Sequence, residues 1–127
     1  MKYLLDTCTF IWALEDSPEL SKKVRALIEV SDGLYLSQTT LWEIAIKKTI
    51  KKLTLEETTH ELVNLCNSSG IIILPIENNY FETIQKLPYI HGDPFDRLIM
   101  AAAIENDLII LTNDSKIRQY DAVKCLW

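Results

Sequence analysis

Glycine, proline, cysteine and histidine are all scarce here, at three Gly, four Pro, three Cys and two His in 127 residues. So little Gly and Pro excludes collagen-like and low-complexity chains. Cys8, Cys66 and Cys125 are odd in number and far apart, so they form neither a disulfide framework nor a zinc ligand set. They are expected to be reduced, two of them buried. Long hydrophobic runs are also missing: stretches such as 71–74 are far too short to span a bilayer. The N-terminal MKYLLDTC carries one Lys, an apolar stretch broken by Asp6 and no small-residue cleavage site, so it does not read as a secretory signal. A cytoplasmic protein without a membrane segment is expected. Positive charge is lacking too: the formal net charge of −5 argues against a binder that grips nucleic acid through a basic surface. It leaves open one that works through metal ions.

What is present is an ordinary globular composition, 48% hydrophobic and 24% charged, in a length that suits one domain over residues 1–127. Apolar segments suited to buried strands occur at 3–5, 34–36, 71–74, 108–111 and 123–126. Helical patterns lie between them, at about 10–14, 40–51, 55–67 and 78–86. Ser17-Pro18 and Asp93-Pro94 both read as an N-cap followed by proline in the first turn, the former introducing Leu20, Val24, Leu27 and Ile28 at helical spacing. Alternating short strands and helices predict an α/β fold: three layers, α/β/α, around a parallel sheet of about five strands. Such sheets bind ligands beyond the carboxyl ends of their strands.

That rule gives the acids a place. Asp6 follows the first strand directly, and Asp114 follows the fourth after Thr112-Asn113. Asp96 lies in the first turn of the helix opened by Asp93, and Glu43 near the start of the helix after the second strand, inside the apolar LWEIAI. All four belong to one edge of the sheet, where like charges repel and desolvation is costly unless a cation is bound. Each acid alone has a plainer reading. Asp6 and Asp93 can cap helices, Asp96 can favour a helix dipole, Asp114 can make an Asx-turn, and Glu43 can pair with Lys47 at i+4. Four separate structural roles would have no reason to converge on one edge.

LLDTCTFIWAL (4–14), SQTTLWEIAIKK (37–48), HGDPFDRLIMAAAI (91–104) and LIILTND (108–114) together carry a resemblance. The chain resembles the PIN-domain nucleases, and within them the VapC-type toxins of toxin–antitoxin pairs, from end to end. The resemblance implies metal-binding and catalytic acids at Asp6, Glu43, Asp96 and Asp114, with Thr7 and Thr112 as supporting hydroxyl positions. It also implies an RNA substrate, cleavage to a 5′-phosphate and a 3′-hydroxyl, a cognate antitoxin and a homodimer. One departure is Cys8, where the family commonly has Asn or His. A hard ion prefers oxygen to thiolate, so Cys8 is expected to pack in the interior.

An oxygen cage of three or four carboxylates suits Mg²⁺ or Mn²⁺ and metal-assisted phosphodiester hydrolysis, making the expected protein a divalent-metal-dependent endoribonuclease. The alternative is a PIN-like binding module with little activity. His60 and His91 are assigned no catalytic role. Lys47, Lys48, Lys51 and Lys52 either guide an RNA backbone or form a solvated face, and Arg97 either holds a phosphate or pairs with a carboxylate. Trp12 and Trp42 are expected in the core. A haloacid-dehalogenase-type phosphatase would need an Asp two residues after Asp6, where Cys8 stands. A receiver domain would need an Asp after the third strand, where Pro75 stands.

Overall fold

The computed structural model describes residues 1–127. Its elements run β1 (Lys2–Leu5), α1 (Thr7–Leu14), α2 (Lys22–Val30), β2 (Gly33–Ser37), α3 (Gln38–Thr49), α4 (Thr59–Ser68), β3 (Ile71–Leu74), α5 (Asn78–Lys86), α6 (Pro94–Glu105), β4 (Ile109–Leu111), a 3-10 turn (Ile117–Gln119) and β5 (Cys125–Leu126). The strands form one parallel sheet in the order β3-β2-β1-β4-β5. Alternation along β1 sends its side chains to opposite faces. Leu4, with Ile110, joins Tyr80 of α5 and the α6 residues Leu98 to Ala103 in one apolar cluster. Tyr3 and Leu5 join Phe10, Val24, Ile44 and Leu62, from α1 to α4, in the other. Helices therefore cover both faces, as the α/β alternation predicts.

Local signals explain most boundaries, and two differ from expectation. Ser17-Pro18 does not start a helix: the Leu20 N–H bonds the Ser17 carbonyl in a turn, and Ser21 is the cap, accepting from the Val24 N–H at 3.1 Å. The apolar spacing was real, but the true cap stands four residues later. The helix expected from residue 55 begins at Thr59, because Thr58 and Glu61 form a reciprocal capping box while Leu55 is buried ahead of it. The scarcity of glycine shows at the helix ends. The residues just past the C-caps of α1, α3, α4 and α6 are left-handed, but only Gly70 (φ 74°) is glycine; Asp16, Lys51 and Asp107 take φ of 51°, 59° and 51°.

No helix is long and apolar enough to cross a membrane.

Candidate active site

Strand order reverses direction between β1 and β4, so a crevice opens at their carboxyl ends. Asp6 stands at that point. It caps α1 through Oδ1, which accepts the Thr9 N–H at 2.8 Å, while Oδ2 accepts the Thr112 hydroxyl. Thr112 leaves β4 beside it, and its oxygen also accepts the Asp114 N–H at 3.0 Å. Asp114 makes the Asx-type turn, with Oδ1 accepting the N–H groups of Lys116 (2.8 Å) and Ile117 (2.9 Å). Glu43 arrives on α3, buried, with Oε1 accepting the Thr7 hydroxyl at 2.6 Å and Oε2 bound to the Lys47 ammonium. Asp93 caps α6 through the Asp96 N–H at 2.9 Å. The plain structural roles are thus made, by side chains that also face one cleft.

That cleft has a volume of about 220 Å³ and is lined by the carboxylates Asp6, Glu43, Asp93, Asp96 and Asp114, with Lys47 as its one Lys or Arg. Burial raises the pKa of Asp6, against the lowering effect of its bonds from Thr112 and Thr9, and the charge of Asp114 adds to the rise. Asp96 is pushed up to about 8, first by burial and then by the charges of Asp93, Glu43, Asp6 and Asp114. Burial alone would lower the pKa of Lys47, but its hydrogen bond and charge interaction with Glu43 outweigh that and raise it. Five acids around one ammonium leave negative charge unneutralised in a half-buried space.

His91 is the neighbour that sequence reasoning missed. Its Nε2 lies 2.8 Å from Asp96 Oδ2 and 3.4 Å from Asp114 Oδ2, and the three side chains bring their ligand atoms within 4.8 Å of one another. A lone His before Gly-Asp-Pro gives no periodic signal; only the folded loop brings it to the acids. His60 is exposed on α4.

Three other expectations are corrected. Cys8 is exposed on the first turn of α1, because the helix capped by Asp6 turns that position outward, but its thiol sits on the cleft wall, where partial desolvation and then the charges of Asp6 and Glu43 push it up to about 11. Trp42 is 47% exposed, since α3 turns its Leu41 and Ile44 to the core; the indole instead meets Phe95 edge to face at 4.8 Å. Trp12 is half-buried and meets Trp127 edge to face at 5.7 Å. Arg97 neither faces the cleft nor pairs with an acid. It is buried and donates to the carbonyls of Ile84, Leu87, Pro88 and His91. In the basic run, Lys47 binds Glu43 and Lys48 donates to the Glu57 carbonyl at 2.7 Å, leaving Lys51 and Lys52 exposed.

The PIN domain family model matches residues 3–123. The chain belongs to the PIN domain family. Solved structures agree on the fold: VapBC2 from Rickettsia felis bound to a DNA fragment of its promoter has a TM-score of 0.72 at 17% identity, covering 99% of this chain and 98% of that one. DNA-bound VapBC from Salmonella typhimurium also scores 0.72, at 18% identity and 99% and 97% coverage. FitAcB from Neisseria gonorrhoeae scores 0.63 at 21% identity, with 98% and 96% coverage. No curated protein matches the sequence. PIN domains generally use divalent metal ions, and the donors here fit one. The cleft is walled by carboxylate oxygens, and Asp96, pushed up to about 8 by its surroundings, is a carboxyl whose ionisation a cation would favour.

Proposed function

We propose that this PIN domain is a divalent-metal-dependent endoribonuclease, a cytoplasmic VapC-type toxin, with Asp6, Glu43, Asp96 and Asp114 as its metal-binding and catalytic acids. The observation that carries the reading is the acid-lined cleft at the β1/β4 switch point, with Asp96 held at a pKa of about 8 by burial and four like charges. Mg²⁺ or Mn²⁺ would be held by these carboxylates and, when bound, would supply neutralisation and polarisation of a phosphodiester.

The chain's own groups do the rest. Thr112 and Thr9 fix both oxygens of Asp6, and Thr7 with Lys47 fixes both oxygens of Glu43, so these two acids are oriented before any ligand arrives. Asp114 is held through Oδ1, leaving Oδ2 facing the cleft. Asp96 takes part in proton exchange: it holds a proton when the cleft is without a cation and releases it when one is bound. Water attacking in line would leave a 5′-phosphate and a 3′-hydroxyl, as the family resemblance implies.

The proposed partners are a cognate antitoxin that covers the acidic cleft and a second copy of the chain. An apolar hollow of about 370 Å³ between α1, α2 and α4, walled by Phe10, Leu14, Ile28 and Leu65, supports a protein partner. The exposed Trp42 beside Phe95, with Phe81 49% exposed, supports a further contact. One observation favours the weakly active binding module instead, namely that Lys47 already neutralises Glu43. The deciding experiment incubates purified protein with mixed RNA in Mn²⁺, in Mg²⁺ and in EDTA. Metal-dependent internal cuts that vanish in Asp96→Asn support the nuclease; their absence in the wild type, with RNA still retained, favours the module.

A further inference from the structure

The four proposed acids are not held alike. Asp6 and Glu43 have both carboxylate oxygens hydrogen-bonded, and Asp114 has one, through the Lys116 and Ile117 N–H groups. Neither oxygen of Asp96 is hydrogen-bonded, and its one close contact with a basic side chain is His91 Nε2, 2.8 Å from Oδ2. The same nitrogen lies 3.4 Å from Oδ2 of Asp114. A carboxylate that swings freely is a poor ligand, and two close together repel each other. One ring nitrogen stands against both.

Residues 87–93 form no helix or strand, so His91 is placed by other means. Its N–H donates to Tyr120 Oη at 2.8 Å, and its carbonyl accepts from Arg97 Nη1 at 3.1 Å. Arg97 follows Asp96 on α6, and Tyr120 follows the 3-10 turn at whose start Asp114 accepts the Lys116 and Ile117 N–H groups. The main chain and the side chain of His91 thus tie together the same two segments, α6 and 114–120. Both backbone partners are buried, and Arg97 also donates to the carbonyls of Ile84, Leu87 and Pro88, which fixes the loop that presents the ring.

The ring is set to donate. The Asp93 N–H donates to His91 Nδ1 at 3.3 Å, so the proton of the neutral imidazole resides on Nε2. Nε2 is closed to solvent and His91 does not line the cleft, so the ring is placed to meet the acids rather than a cation or RNA. Its N–H points in line at neither oxygen, but at these distances its dipole attracts both carboxylates, and poorly aligned contacts of this kind tighten when a ligand arrives.

We propose that His91 is a positioning residue, whose Nε2–H holds the Asp96 and Asp114 carboxylates together so that they meet the cation as a pair. The inference rests on the metal site of the nuclease reading and involves no contact between His91 and substrate.

The test measures Mn²⁺ affinity of the full chain from the electron paramagnetic resonance of the free ion. His91→Phe, which keeps a ring but removes the N–H, should weaken Mn²⁺ binding about 10- to 100-fold, the usual loss when a group that orients a ligand is removed. His91→Gln, whose amide nitrogen reaches the position of Nε2, should recover most of the loss. His91→Asn, which reaches only that of Nδ1, should not, and this pair decides the matter should His91→Phe fail to fold. Added to Asp96→Asn, His91→Phe should weaken binding by less than about threefold further, because both changes break one contact; a merely structural role would add in full. In the metal-free wild type, nitrogen-15 resonances should place a ring proton on Nε2. Four results would overturn the proposal: Mn²⁺ affinity indifferent to His91, full additivity in the double variant, a ring proton on Nδ1 alone, or nitrogen-14 directly bonded to Mn²⁺ and lost in His91→Gln. RNA cleavage measured in parallel tests the nuclease separately. His91-dependent Mn²⁺ binding without cleavage sinks the nuclease alone, and Asp96-dependent binding and cleavage with Mn²⁺ affinity indifferent to His91 sinks this inference alone. A wild type that binds no Mn²⁺ sinks both.

Discussion

The two edges of the sheet treat charge in opposite ways. At the amino edge, where the strands begin, the Met1 ammonium meets Asp32 at 2.6 Å and Lys124 meets Asp107 at 3.4 Å, each acid matched to a cation and all four groups open to water. At the carboxyl edge the acids are buried or half-buried, outnumber their cations and raise one another's pKa. Surface pairs of the first kind contribute little to stability and are easily replaced. Unmatched acids of the second kind are unfavourable in the absence of a ligand, so their presence points to function. The contrast also separates the cleft from the apolar hollow, which is larger at about 370 Å³ but lined mainly by hydrophobic residues. Size alone would have pointed to the wrong place for chemistry.

The contrast breaks most completely if the carboxyl edge loses one acid. Asp96→Asn should reduce metal-dependent RNA cleavage by more than about 100-fold, beyond the loss typical for a group that only supports a ligand. The same variant, free of metal, should gain about 1 kcal/mol of stability near pH 8, because a repelled charge is gone. Denaturant melts and a gel-based cleavage assay check both, and a destabilised Asp96→Asn with wild-type cleavage would refute the assignment.

Next in size is the dependence on pH. A folded-state pKa of about 8 for Asp96 lies above the ordinary 3.8, so its contribution to metal-free stability is fully present below about pH 4. It is lost progressively as pH rises from there through about 8, and Asp6, also raised, acts in the same direction. Mn²⁺ binding should release protons below pH 8 and tighten by up to about tenfold per pH unit. Calorimetry in buffers of different ionisation enthalpy counts those protons; Asp96→Asn should release fewer, and equal release by both proteins would contradict the reading.

Asp93 sharpens the comparison within the cleft itself. Asp93→Ala removes the α6 cap and should cost about 1 kcal/mol while leaving cleavage within severalfold of wild type. Thermal midpoints and cleavage rates measured side by side with Asp96→Asn separate the two aspartates of GDPFDR, and an inactive but stable Asp93→Ala would exchange their roles. The smallest effect belongs to the amino edge. Asp107→Gly loses an exposed ion contact but relieves a φ of 51°, so stability should move by less than about 1 kcal/mol. A larger fall in the thermal midpoint would show that edge to be structurally important.

The positions of the acids could be read from sequence because they depend on strand ends: once 3–5 and 108–111 are strands of one parallel sheet, Asp6 and Asp114 must share an edge. Glu43 stood out against its apolar surroundings. His91 could not be found this way, since its place depends on hydrogen bonds to Tyr120 and Arg97 that bridge unrelated parts of the chain. For the same reason Arg97 read as either a phosphate ligand or a carboxylate partner, although its donors are used by carbonyls. The start of α2 was misplaced because Ser17-Pro18 and Ser21 offer competing caps four residues apart, and only packing selects between them.

The bond from Thr112 to Asp6 joins residues 106 apart in sequence, and β4, which ends just before Thr112, lies against β1. A growing chain that has reached Asn106 already holds Asp6, Glu43 and Asp96 but lacks β4, the side chain that orients Asp6, and Asp114. Closure of the cleft therefore waits for β4 and Asp114, and whatever the cleft does arrives with that segment rather than growing by degrees during synthesis.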